Sequence, residues 1–257
     1  MIGAGSGLGA EIARQLAPRG PLVVADRDLA SVERLAGELD AEVVPMACDV
    51  TDAALIAGVL DAAAPLGALV VTAGLSGAQA DARTILDVNL RGTARVLDAA
   101  EARLVPGSVG VCFASASGYR TPEEPELMAV LEEPLVDDLF ERLVSLRPEL
   151  EDSHQAYSAS KRGVMRLVQR RALAWGRKGA RLLSVSPSLV ATPMSLGEEE
   201  RNPIMKEMAA QGPIGRRGRP EEVANVVSFI TSELASYMTG CDVIVDGGLH
   251  TLQPGVR

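Results

Sequence analysis

Apolar and polar positions along this chain follow two rhythms. Short apolar runs without polar alternation fall at Leu22 to Ala25, Glu42 to Met46, Ala68 to Val71, Val109 to Ala114, Leu182 to Val185 and Val243 to Val245. Between them lie segments with the helical period: Ala10 to Leu16, Leu29 to Leu39, Ala53 to Ala64, Ala82 to Leu104, Ala156 to Arg177 and Pro220 to Leu234. A strand without a polar face is buried on both sides, and helical crossovers between such strands imply a parallel sheet with helices on each face. The pattern predicts one α/β domain over residues 1–257, a doubly wound (Rossmann) parallel sheet. No repeat or low-complexity tract interrupts it.

One stretch departs from the rhythm. Residues 120–153 separate a strand from a helix, where a few residues would suffice. Leu127, Val130 and Leu131 have helical spacing, as do Leu139, Leu143 and Leu146, and four prolines punctuate them. Eleven acids face three arginines. The segment reads as a helical insertion with a solvated acidic face, or else as a substrate-site wall or an assembly element.

Composition works mainly by exclusion. The 257 residues are 47% hydrophobic but only 3% aromatic, so Ala, Leu and Val must fill a large core. A net charge of −9 and the lack of a basic stripe argue against a nucleic-acid partner. No run approaches the roughly 18 consecutive apolar residues of a membrane span, and no segment has the form of a signal peptide. Cys48, Cys112 and Cys241 suit neither a disulfide framework nor a metal knuckle. They read as buried thiols of a cytoplasmic protein that binds no metal.

The chain opens with the spacing Gly3-x-x-x-Gly7-x-Gly9, through Ser6 and Leu8, into a helical run. Glycines permit a tight turn and close approach of a pyrophosphate, and the helix start offers it free N–H groups. Asp26 ends the next strand, where an acid can accept hydrogen bonds from ribose hydroxyls and repel a 2′-phosphate. This favours NAD over NADP, although Arg27 follows the acid. Asp49 and Val50 follow the second apolar run, which ends the third strand if one precedes Gly3; an adenine edge can be read there, or Asp49 merely forms a turn. A loop of this kind normally ends a buried strand that lies mid-sheet, yet only Met1 and Ile2 precede it. Two residues appear in this reading as too few to pair with both neighbours, because strands typically run ~5–6 residues. The expectation is a native polypeptide that begins several residues upstream.

Tyr157 and Lys161 are i and i+4 on a helix and share a face. A phenol titrates near ~10, too high for efficient proton transfer at neutral pH, and a nearby ammonium favours the phenolate. Ser115 and Ser117 sit at a strand's carboxyl end, where open α/β sheets bind ligands, as substrate-holding hydroxyls or as a polar cap. Asn89, inside a helical run, is a surface residue or the site of a local kink that holds a water.

In order and spacing, the glycine loop, Asp26, Asp49, Asn89, Ser115, Tyr157-x-x-x-Lys161 and the Asp-Gly-Gly at 246–248 resemble the short-chain dehydrogenase/reductase family over nearly the whole chain. The long interval from Ser115 to Tyr157 is most similar to the bacterial 3α-hydroxysteroid dehydrogenase/carbonyl reductase branch. The resemblance implies that Tyr157 is the general acid/base and that Ser115 hydrogen-bonds the reacting oxygen. Lys161 would lower the tyrosine pKa and bind the nicotinamide ribose, and Asn89 would anchor a water in a proton relay. Pro187, Val190 and Thr192 match the segment that holds the carboxamide. Two positions depart from the family pattern. Thr72-Ala73-Gly74 follows Val71 where the family has Asn-Ala-Gly, and Ser188 replaces a glycine after Pro187.

The expectation is hydride transfer between NAD(H) and a secondary alcohol or ketone, with steroid- or terpenoid-like substrates suggested by the branch. Met194, Met205 and Met208, in a segment near Met194 to Gln211, would line an apolar pocket or simply pack a short helix. The alternatives are an NADPH-dependent ketoacyl or carbonyl reductase, a catalytically silent dinucleotide-sensing protein, and a structural interaction protein. A homo-oligomer is expected, with the insertion limiting a tetramer to a dimer.

Overall fold

Every strand pairing in the sheet is parallel. The computed structural model describes residues 1–201 and 204–252, with the backbone alone for 198–201. The strands are β1 (Leu22–Asp26), β2 (Val43–Ala47), β3 (Leu66–Val71), β4 (Leu104–Phe113), β5 (Arg181–Pro187) and β6 (Asp242–Val245). They form the order β2-β1 and β3-β4-β5-β6, and Ile2 joins the two groups by parallel bridges to Ala25 and Val71. The expectation that so short a segment cannot serve both neighbours is therefore wrong. Ile2 N–H donates to Val70 O (2.9 Å), Thr72 N–H donates to Ile2 O (2.8 Å), and Gly3 N–H donates to Ala25 O (2.7 Å). Successive peptide groups point to opposite sides, so three residues reach both strands.

The strands are predominantly apolar on both faces because helices cover both. On one side α1 (Gly7–Leu16), α2 (Leu29–Glu38) and α11 (Pro220–Ile230) bury Ile12, Leu35 and Val227 against Val24, Val111 and Val185. On the other, α3 (Ala53–Ala62), α5 (Gly92–Glu101) and α8 (Ser153–Arg177) bury Ile56, Leu97 and Val164 against Leu69, Val71 and Cys112. The strand face alternates residue by residue, with Val70 in one core and Val71 in the other.

Two segments differ from the predicted elements. The expected helix over Ala82 to Leu104 is α4 (Ala82–Ile85), a π-helical turn at Leu86–Arg91 and α5, and Leu104 already belongs to β4. The insertion folds as α6 (Pro125–Glu132), α7 (Leu139–Leu146) and a 3-10 turn at Pro148–Glu151. Leu127, Leu131, Leu139 and Leu143 join the core beneath α8, and most of the acids remain on the outside. Glu132 is the exception: its carboxylate is buried, and Arg166 and Arg170 of α8 pair with it. After β5 come α9 (Pro193–Arg201) and α10 (Ile204–Gln211). Asn202 and Pro203, within the expected 194–211 segment, lie outside the described residues.

Candidate active site

A crevice of about 1120 Å³ runs along the carboxyl ends of the strands. At one end lies the glycine loop. Gly3 has φ +92, and a Cβ there would collide with the Ala73 backbone; a Cβ on Gly9 would collide with Gly3 O. Only glycine lets these strands and the helix start approach so closely. Ser6 is the N-cap of α1 in extended backbone and makes no side-chain cap. The first-turn N–H groups of Gly7, Leu8 and Gly9 therefore lack intrahelical acceptors, and they line the crevice. No acid occupies that turn. This bare, positively polarised helix start over a side-chain-free loop fits a pyrophosphate.

Asp26 ends β1 in the crevice, and one carboxylate oxygen accepts the Gly5 N–H at 2.9 Å. It therefore shapes the loop as well as facing any ribose held there. Arg27 lines the same end and is exposed. Val50 is buried against the crevice, and Asp49 accepts both the N–H (2.8 Å) and hydroxyl (2.7 Å) of Thr51. Those two bonds, the backbone one foremost, hold its carboxyl below the usual value. Asp49 is thus a turn former that also faces the crevice. Thr72 turns inward: its hydroxyl donates to Gly3 O at 2.7 Å, bracing the loop where the family carries asparagine.

At the other end, Asp152 caps α8 by accepting the N–H groups of His154 and Gln155, both at 3.0 Å. That fixed start places His154, Tyr157 and Lys161 on the crevice side of the helix. Lys161 is buried, and its ammonium donates to Phe113 O at 2.9 Å, tying α8 to the end of β4. Burial pushes its pKa down to about 8. Its Nζ lies 5.8 Å from the Tyr157 ring centroid. Ser115, two residues beyond Phe113, lines the same wall. Its Oγ accepts the N–H (3.2 Å) and hydroxyl (3.0 Å) of Ser117. It is therefore both a cap of the following 3-10 turn and a crevice hydroxyl.

Asn89 is fully buried, which excludes the surface reading. Its amide oxygen accepts the Leu75 N–H (2.7 Å), and its amide nitrogen donates to Leu75 O (2.9 Å) and Ser160 Oγ (3.2 Å). The π-helical turn carries it to this position, a feature often found at functional sites. Next to it, Gly74 lets the backbone pass close to both side chains: a Cβ there would lie 3.1 Å from Asn89 Oδ1 and 3.3 Å from Lys161 Nζ, tighter than an ordinary contact. Pro187, Val190 and Thr192 form the wall between the two ends, with Thr192 Oγ1 accepting the Ser195 N–H at 3.2 Å. Among the described residues only glycines have positive φ, so Ser188 fits without strain.

Met194, Met205 and Met208 line the crevice, as the first of their two readings has it. Residues not foreseen there include Gln79, Arg120, His154 and His250. His154 precedes Tyr157 by three positions on one helix, a spacing that could have identified it. Cys48 and Cys112 are buried thiols, which burial pushes up to about 11 and 12 respectively, whereas Cys241 is only partly buried. Among the described residues no cluster could hold a metal ion, and no helix is long and apolar enough to cross a membrane.

Known proteins share this arrangement. The family described as short chain dehydrogenase matches residues 1–121, and the family described as Enoyl-(Acyl carrier protein) reductase matches residues 147–250. A galactitol 2-dehydrogenase (L-tagatose-forming) from Cereibacter sphaeroides is 34% identical over 96% of this chain and 92% of its own. A 3-alpha-hydroxysteroid dehydrogenase/carbonyl reductase from Comamonas testosteroni is 30% identical over 72% of each chain. A solved short-chain dehydrogenase/reductase from Brucella melitensis superposes with a TM-score of 0.78 at 24% identity, covering 96% of this chain and 94% of that one. The chain therefore belongs to the short-chain dehydrogenase/reductase family, whose members bind a nicotinamide dinucleotide, and is an oxidoreductase acting on alcohol or ketone groups.

Proposed function

We propose that this protein oxidises a secondary alcohol, or reduces the matching ketone, using NAD(H). The observation that carries the reading is that one crevice has the bare helix start and Asp26 at one end and Ser115, Tyr157 and Lys161 at the other. The glycine loop would hold the pyrophosphate, Asp26 the adenosine ribose, Val50 the adenine side, and Val190 and Thr192 the carboxamide.

When bound at the glycine loop, the dinucleotide would supply the hydride acceptor for the alcohol, or the hydride donor for the ketone. The protein handles the oxygen. In oxidation the Tyr157 phenolate removes the hydroxyl proton; in reduction the phenol gives it back. Ser115 holds the same oxygen by a hydrogen bond and fixes its direction. The Lys161 ammonium, steadied by Phe113 O, stabilises the phenolate by its charge. Asn89 is a positioning residue: it fixes the Leu75 backbone beside Gly74 and Lys161, and it would anchor the water of a proton relay to Lys161.

Tyr157→Phe should lower kcat by at least about 100-fold while NADH binding stays nearly intact. Comparable turnover in this variant removes Tyr157 from its role. Relative affinities for NADH and NADPH separate the reading from an NADPH-dependent one, which Arg27 would serve. We further infer a cytoplasmic protein, on its free cysteines, and a dimer, because α6 lies over α8 through Glu132, on a surface a tetramer would need. Light scattering that gives a tetramer counts against it.

A further inference from the structure

The charges lining the crevice are divided. Among the described residues its only carboxylates are Asp26 and Asp49, both on the glycine-loop half. The half around Ser115 and Tyr157 is lined by the cations Lys161 and Arg120 and by no acid; the His250 ring beside it is engaged by the Asp246 carboxylate at 2.9 Å. The chain as a whole carries a net charge of −9. An acid-free, cation-bearing substrate half therefore runs against the composition.

Arg120 has no internal role in this half. It ends the 3-10 turn Ala116–Arg120 that begins directly after Ser115. Five residues at roughly 2 Å rise each place its backbone within about 10 Å of Ser115, and the side chain is long enough to span much of that distance. The nearest acids in the chain are committed elsewhere: Glu123 pairs with Arg162, and Glu124 pairs with Arg147. Arg120 itself has no ion pair or side-chain hydrogen bond among the described residues. Its exposed guanidinium keeps a planar, two-donor edge that matches a carboxylate. Met194, Met205 and Met208 line the same crevice and add apolar surface to it.

We propose that the substrate of this site is a hydroxy acid or its keto acid, with an apolar body and a carboxylate held by Arg120; this rests on the hydride-transfer reading given above. Lys161 is already engaged by Phe113 O, so Arg120 is the cation open to a second substrate group. A single guanidinium suits a carboxylate better than a phosphate dianion, which calls for more than one cation.

The test uses the NAD-loaded protein and an inert pair that cannot be turned over, cyclohexanecarboxylate and cyclohexanecarboxamide. Calorimetry should find the acid bound about tenfold or more tightly than the amide. Arg120→Gln should erase that difference, and Arg120→Lys should retain part of it. In turnover, hydroxy acids should show a lower KM than their own amides, and the gap should close in Arg120→Gln. Equal binding of acid and amide by the wild-type protein overturns the inference, as does an Arg120→Gln effect that is the same for both. Turnover of neutral secondary alcohols without preference for acids sinks the inference alone and leaves the hydride-transfer reading intact. Acid-selective binding without turnover of any alcohol upholds the anion subsite and counts against hydride transfer.

Discussion

Lys161 offers a test in which stability and activity move in opposite directions. Replacing it by Met removes a buried ammonium and keeps a chain of similar length. Burial lowers the pKa of Lys161 from 10.5 to about 8, which corresponds to about 3 kcal/mol by which the native state disfavours the charged form. The lost donor to Phe113 O offsets about 1–2 kcal/mol of this. At pH 7 the Lys161→Met variant, cofactor-free, should therefore be more stable than the wild type by about 1–2 kcal/mol, while its turnover is lost. The pH dependence has a definite sign. Between the native value near 8 and the unfolded value near 10.5, the unfolded chain holds a proton that the native chain has released, so wild-type stability rises with pH. Below pH 8 both states are protonated and the full cost persists. The wild type should gain about 2 kcal/mol on the variant between pH 7 and pH 9.5, closing or reversing the gap. Urea unfolding of both proteins at the two pH values measures it, and other titrating groups cancel in the difference. A gap independent of pH, or a variant markedly less stable at pH 7, refutes the reasoning.

Three further outcomes follow from contacts already described. Gly9→Ala forces a Cβ into Gly3 O and should weaken dinucleotide binding at least about tenfold, read by NADH fluorescence titration. Asp26→Asn retains an acceptor for the Gly5 N–H but removes the charge; the ratio of NADPH to NADH affinity should rise about tenfold or more, and an unchanged ratio takes Asp26 out of cofactor choice. Glu132→Ala leaves Arg166 and Arg170 without their shared partner and should cost about 1–3 kcal/mol in urea unfolding, the arginines' own exposure limiting the loss.

The strands were readable because they are predominantly apolar on both faces, as suits strands covered on two sides, although β5 buries Ser184 and Ser186. What the pattern missed concerns the backbone and pairing. Ile2 serves two neighbours through peptide groups, and nothing in its side chain records that. The π-helical turn at Leu86–Arg91 leaves the apolar spacing of a helix nearly unchanged; only a polar Asn89 among buried neighbours pointed to it. Tyr157, Lys161 and Ser115 were visible as residue types at telling positions, and His154 could have been added from the same helical spacing. Arg120 could not have been singled out. It opens a segment with eleven acids, and composition alone would neutralise it. Which charges find one another is decided by geometry. With Glu123 drawn to Arg162 and Glu124 to Arg147, the guanidinium beside the reacting end of the crevice is left for a ligand.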